Sequence, residues 1–462
     1  MTEKPSLTGT TIRLLIVATG LLLLVGCGGG SSTSTSTTPT TPATNNTVPL
    51  TVGFGPNGQA GGYTNGVFTT VTVCAPNTSN CQVIDNVLVD TGSIGLRILN
   101  SALTTVPQSS LGSIQDNTSD QLQECVQYGD TSYSWGPMWV ADVEMGGEKA
   151  SGIAIQVIGG NSGNATFGTV PSQCLVAPVN SNLPNGGNED TVTTLGANGI
   201  LGIGIAANDC GNYCTSSGSL SQSGYPYYVC PTGQACSAVT VPVQYQATNP
   251  VAAFSSSDNN GIVVTLPAIG AQGAASDAGT IAFGIGTQTD NTISGQTLYA
   301  MDPCGLFPTA TFNGVAYSDT YCSNGSGSLG AFLDTGTNTN AVSDAATLSS
   351  LGISDCAQGT AGFNYYCVSG GGTATLSNIA LTGYNSVGSG SVSINIADAT
   401  TLFTANPSFA AFDNVGSDSG TNPTNDYFDF GLPFFIGRTV FFGIGGTAVP
   451  NGATAPYGYV AF

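Results

Sequence analysis

Histidine is absent from all 462 residues, and lysine and arginine together number 5 against 26 aspartates and glutamates. The first absence excludes Ser/His/Asp and Cys/His nucleophilic catalysis and every histidine-ligated metal mechanism. The second leaves a formal net charge of −21 at pH 7, which makes nucleic acid and anionic membrane surfaces poor partners. Long amphipathic segments are missing too: no stretch sets apolar residues at helical spacing with helix formers between them. Carboxylates remain as the candidate acids and bases, and strands as the candidate elements.

What is there fits that reading. Glycine at 65 residues, abundant Ser, Thr and Asn, and short apolar runs point to many strands joined by tight turns. Residues 67–73, 153–158, 280–283 and 391–396 read as strands, and the fold class is all-β. A hydrophobic content of 40% over this length suffices for two sizeable cores.

The amino terminus reads as a targeting segment. Lys4 and Arg13 supply a positive start, residues 14–25 are apolar, and Leu24-Val25-Gly26-Cys27 resembles a bacterial lipoprotein cleavage box. On that reading residues 1–27 are a signal peptide and Cys27 is the lipidation site. A plain signal peptide or a short anchor are the alternatives, although the apolar run is short for a membrane span. Residues 28–48, almost wholly Gly, Ser, Thr, Pro and Asn, read as a tether with a reach of about 25 Å. The expected address is the bacterial cell envelope, lipid-anchored at the outer membrane, with the lipid as the membrane contact. Beyond the tether only Arg97, Lys149 and Arg438 are basic. A chain with so few cations has little charge to repel itself at low pH, which suits work in acid.

Setting Cys27 aside from the 13 cysteines leaves twelve, an even number in an exported chain. Most fall into local pairs: Cys74/Cys81, Cys210/Cys214, Cys230/Cys236, Cys304/Cys322 and Cys356/Cys367, with Cys125 and Cys174 left over. Six disulfides are expected, with the connectivity open. A zinc site at Cys210, Cys214, Cys230 and Cys236 is the rival reading.

Two aspartates share one setting: Val87-Leu88-Val89-Asp90-Thr91-Gly92-Ser93 and Ala331-Phe332-Leu333-Asp334-Thr335-Gly336-Thr337. Each is an apolar strand run ending at Asp-Thr-Gly and a hydroxyl residue. One copy is common loop chemistry. Two copies, one in each half, resemble the pepsin-like aspartic peptidases. Further segments carry the resemblance in order: Gln127-Tyr128-Gly129-Asp130-Thr131-Ser132 resembles a flap, followed by a strand at 138–142. Gly199-Ile200-Leu201-Gly202-Ile203-Gly204 resembles the apolar pair behind the first catalytic loop, and residues 430–442 look like its second-half counterpart.

The resemblance implies a bilobal fold, with residues 49–250 as the first β lobe and 251–462 as the second, and a cleft between two barrel-like lobes. It implies Asp90 and Asp334 as the catalytic pair, with Thr91 and Thr335 hydrogen-bonding across. Gly92 and Gly336 would give backbone access, and Ser93 and Thr337 would sit on the outer carboxylate oxygens. Tyr128 and Gly129 would meet substrate at the flap. It implies an acid-acting endopeptidase on a peptide or protein substrate, monomeric, with no cofactor and no metal, and relatives among bacterial lipoproteins of unknown function. Three features depart from the pattern: Arg97 stands where many members carry the flap-bonding Trp, Asn338-Thr339-Asn340 replaces small and apolar residues, and segment 208–238 has no counterpart. A catalytically inactive binding module of the same fold is the alternative those departures leave open.

Overall fold

In the computed structural model the described residues are 46–462, except 60–62, 117–118, 130, 160–169, 176–186, 221–224, 232–233, 321, 323–328 and 419–426. The signal peptide, Cys27, nearly all of the tether and Asp130 lie outside them. Most of the regular secondary structure in the described chain is strand. Its α-helices are short, and Ala399–Ala405 is typical in starting from a side-chain cap, Asp398 accepting from Thr401 N–H. Among the described residues no helix is long and apolar enough to cross a membrane.

Period-two alternation makes the strands. In Thr47–Gly53, Val48, Leu50 and Val52 are buried while Pro49 and Thr51 face outward. This strand joins distant parts of the chain. It pairs antiparallel with Gly66–Cys74 on one side and with Asp277–Phe283 on the other, so one sheet runs through both halves of the sequence. The four sequence-predicted strands lie within Gly66–Cys74, Glu148–Ile158, Asp277–Phe283 and Ser389–Ala397.

A topological unit occurs twice. The strand Cys81–Asp90 runs into the first Asp-Thr-Gly turn and Ile94–Leu99 leaves it. Gly199–Ile203 lies between them, parallel to the incoming strand and antiparallel to the outgoing one. In the second half Gly330–Leu333 enters the turn, Asn340–Val342 leaves it, and Tyr427–Phe430 takes the place between, again parallel to one and antiparallel to the other. A strand wedged between the two arms of a turn fixes that turn from both sides, so each aspartate is held by backbone ladders and not by a free loop.

All six disulfides form: Cys74–Cys81, Cys125–Cys174, Cys210–Cys214, Cys230–Cys236, Cys304–Cys322 and Cys356–Cys367. The four cysteines of the zinc reading are consumed as two local bridges, which removes that alternative. Strand Tyr227–Val229 of the unplaced segment pairs with Leu122–Gln127, extending the sheet beneath the flap.

Candidate active site

The two Asp-Thr-Gly turns meet. Thr91 N–H donates to Thr335 Oγ1 at 3.1 Å, Thr335 N–H donates to Thr91 Oγ1 at 3.0 Å, and Thr335 Oγ1 donates to the Val89 carbonyl at 2.7 Å. Both threonines are buried, so these bonds are shielded from water and lock the two turns together.

The carboxyl groups face each other across this bridge. Gly92 N–H is within hydrogen-bond reach of both inner oxygens, 2.8 Å from Asp90 Oδ1 and 3.2 Å from Asp334 Oδ1. Ser93 N–H adds 3.1 Å to Asp90 Oδ1, and Gly336 N–H adds 2.7 Å to Asp334 Oδ1. The outer oxygens take hydroxyls: Ser93 Oγ donates to Asp90 Oδ2 at 2.5 Å and Thr337 Oγ1 to Asp334 Oδ2 at 3.0 Å.

Glycine is required here by crowding. A Cβ on Gly92 would lie 2.5 Å from Asp334 Cγ, and one on Gly336 would lie 2.9 Å from Asp90 Oδ1. Burial, the neighbouring Asp90 charge and a hydrogen bond with the Asp90 side chain push the Asp334 carboxyl up, to about 8. Asp334 thereby keeps its proton into the neutral range.

A cleft of about 880 Å³ opens over the pair. Leu88 and Ile200 line it from the first half and Phe332 and Asp429 from the second, while Tyr128 and Gly129 reach it from the flap. The flap is a hairpin of Leu122–Gln127 against Tyr133–Met145. Tyr128 N–H bonds the Ser132 carbonyl at 2.9 Å to close its tip, and the half-buried phenol sits 2.9 Å from Ser134 Oγ.

The departures noted in the sequence have structural partners. Arg97 is only 2% exposed and binds Glu124 Oε1 at 2.7 Å and the Ile94 carbonyl at 2.7 Å. Asp209 lies 3.6 Å off and takes a hydrogen bond from Tyr227 Oη at 2.7 Å. One cation thus ties the strand after the first turn to the flap and to the cysteine-rich segment. Asn338 lines the cleft and also anchors the second turn: its Nδ2 donates to the Thr64 carbonyl at 2.7 Å, and its own carbonyl accepts from Asn65 Nδ2 at 2.9 Å.

Asp429 is the residue that sequence reading passed over. It is 7% exposed, and its Oδ2 lies 2.7 Å from Thr337 Oγ1. Burial, then the charge of Asp334, holds its carboxyl well above the ordinary range. The signal was a lone acid inside the apolar run Tyr427-Phe428-Asp429-Phe430.

A family model described as "Protein of unknown function (DUF3443)" matches residues 42–462. Among curated proteins none matches. One similar solved structure is the crystal structure of aspartic proteinase from Irpex lacteus, at 15% identity and a TM-score of 0.42, covering 90% of this chain and 96% of that one.

Proposed function

The chain belongs to the family described as protein of unknown function DUF3443, and we propose that this member is an aspartic endopeptidase working in acid through Asp90 and Asp334. One observation carries the proposal: a single N–H, that of Gly92, lies within hydrogen-bond reach of the inner oxygens of both carboxyls. That arrangement holds one proton between two acids and leaves room above them for a water and a carbonyl. On this reading the carboxylate of the pair takes a proton from the water as its oxygen attacks the peptide carbon, and the protonated partner donates to the carbonyl oxygen. Collapse of the tetrahedral intermediate breaks the C–N bond, and the amine leaves with a proton from the pair. The pair titrates as a unit, so neither aspartate holds a fixed role.

An extended peptide lies across the cleft between two β lobes of pepsin-like arrangement, with Tyr128 folding over it. The repeat of the wedged-strand unit supports two lobes of common plan. The protein acts as a monomer on the cell envelope, held by a lipid on Cys27. The six disulfides are in keeping with an oxidising compartment. Processing and membrane partitioning of Cys27→Ser test the anchor, and unchanged behaviour removes it.

The test of activity is digestion of a mixed peptide library by the purified chain from pH 3 to pH 7, with and without a statine-containing peptide. The expected result is cleavage in acid that the statine hydroxyl blocks by taking the place of the attacking water. A folded protein that cleaves nothing at any pH overturns the endopeptidase reading and leaves the cleft as a binding groove.

A further inference from the structure

We propose that Asp429 is a neutral carboxylic acid whose Oδ2–H donates to Thr337, so that the Thr337 hydroxyl is aimed at Asp334, and that Asp429 is thereby a positioning residue for the carboxyl pair. The importance of that aim rests on the endopeptidase reading; the protonation state of Asp429 does not.

The argument is a count of hydrogens. Thr337 Oγ1 lies 3.0 Å from Asp334 Oδ2 and 2.7 Å from Asp429 Oδ2. A hydroxyl has one hydrogen and can donate to one of them. If both carboxyls were ionised, the other contact would set two oxygens against each other with no proton between. A proton on either Oδ2 would make both contacts hydrogen bonds, but Asp334 Oδ1 already accepts from the Gly92 and Gly336 N–H groups while Asp429 Oδ1 accepts from none, so the proton belongs on Asp429 and the direction runs Asp429 to Thr337 to Asp334. The remaining oxygen agrees: Asp429 Oδ1 is buried with no hydrogen-bond partner, a position a neutral carbonyl tolerates better than half of a carboxylate charge.

Among the described residues the surroundings offer no counter-charge. Asp429 is paired with Phe332 on one flanking strand and Ala341 on the other. Beyond Phe332 the incoming strand leads to Asp334, and the outgoing strand Asn340–Val342 carries no titratable side chain. The charges felt by Asp429 are those of Asp334 and Asp90, both of the same sign. Tyr427 and Asp418 line the same wall of the cleft. The described basic residues are engaged elsewhere: Arg97 with Glu124, Lys149 with Asp142, and Arg438 over the Phe434 ring.

Nor does the fold need a carboxyl at this place. Ile200, paired with Leu88 two residues before Asp90, occupies the position in the first unit that Asp429, paired with Phe332 two residues before Asp334, occupies in the second. An apolar residue serves there in one unit and an acid in the other.

The arrangement has a direction in pH. While Asp429 keeps its proton, Thr337 donates to Asp334. When rising pH removes that proton, the new anion competes for the Thr337 hydrogen and repels the pair, so the support is present in acid and lost on the alkaline side.

Asp429→Asn and Asp429→Leu test this, each checked for folding by thermal melting. Difference proton titration of the wild-type chain against Asp429→Asn reads the protonation state without any catalysis. The expected extra proton leaves the wild type well above the range in which an ordinary carboxyl titrates, and release within that ordinary range overturns the proposal. In peptide cleavage, Asp429→Asn still donates from Nδ2, so in acid its kcat stays within about threefold of wild type and its alkaline limb moves to higher pH. Asp429→Leu leaves the Thr337 hydroxyl unaimed and lowers kcat about tenfold with KM little changed. An Asn variant as impaired as the Leu variant overturns the positioning role. If the wild type cleaves nothing, or the Leu variant does not fold, the titration still decides whether Asp429 is neutral.

Discussion

At the scale of single residues, the carboxyl pair imposes two requirements that can be separated. If the pair hydrolyses peptides as proposed, both acids are needed: Asp90→Asn or Asp334→Asn is expected to lower kcat by about 10³-fold or more, each alone as much as both together, because the pair acts as a unit. Peptide turnover by the two single variants and the double variant measures this, and a single variant retaining half the activity would contradict it. Geometry needs the glycines. Gly92→Ala would drive a methyl against Asp334 Cγ, so the turn must shift, at a cost of about 1–3 kcal/mol in stability by urea unfolding. Its effect on cleavage should exceed its effect on stability, since a displacement of the carboxyls matters more to the reaction than to the fold.

At the scale of elements, the flap is held from beneath by charge and from its side by a disulfide. Arg97 and Glu124 are both essentially buried, and Arg97 Nε and Glu124 Oε2 have no hydrogen-bond partner. Removing one partner strands the other charge. Arg97→Met is therefore expected to cost about 3–5 kcal/mol, while Arg97→Met combined with Glu124→Leu recovers a large part of it. Equilibrium urea denaturation of both variants measures the difference. The bridges differ in the loop each closes. Cys125–Cys174 spans 49 residues and Cys210–Cys214 only 4. Chain entropy gives about 4 kcal/mol for the first and about 2 kcal/mol for the second. Replacing Cys125 and Cys174 together by alanine should therefore be the more damaging change, read by the same denaturation curves.

At the scale of the whole molecule, the carboxyls divide into two groups with opposite effects on stability. Burial, followed by like charge, holds Asp334, Asp429 and Asp209 above their ordinary range. Hydrogen bonds and, for Asp142, the nearby Lys149 hold Asp142, Asp344 and Asp398 below it against the opposing effect of burial. As pH rises above about 4, the unfolded chain loses protons that the native chain keeps on the first group, so stability falls. Below about pH 4, the unfolded chain takes up protons that the native chain refuses on the second group, so stability falls again. Calorimetry from pH 2 to pH 8 is expected to show the highest Tm near pH 4–5. A Tm that climbs steadily to pH 8 would contradict the protonated native carboxyls.

The sequence by itself determined the features that depend on near neighbours. Strand positions followed from alternation, as at Val67 to Val73. The two turns followed from Asp-Thr-Gly ending an apolar run, and five of the six bridges joined cysteines close in the chain. The pairing of the two turns was legible because the motif occurs twice with the same residue types. Tertiary structure alone decided the rest. Strand Thr47–Gly53 bonds to Asp277–Phe283 because a sheet edge takes whichever distant strand the fold brings to it, which no local pattern records. Arg97 finds Glu124 and Asp209, and Asn338 finds Thr64, through the same long-range placement. Asp429 was visible as an acid in an apolar strand. Its place beside Thr337 appears only when Tyr427–Phe430 is laid in register against Gly330–Leu333, since side chains on a strand alternate in direction and a shift of one residue would point it away from the pair.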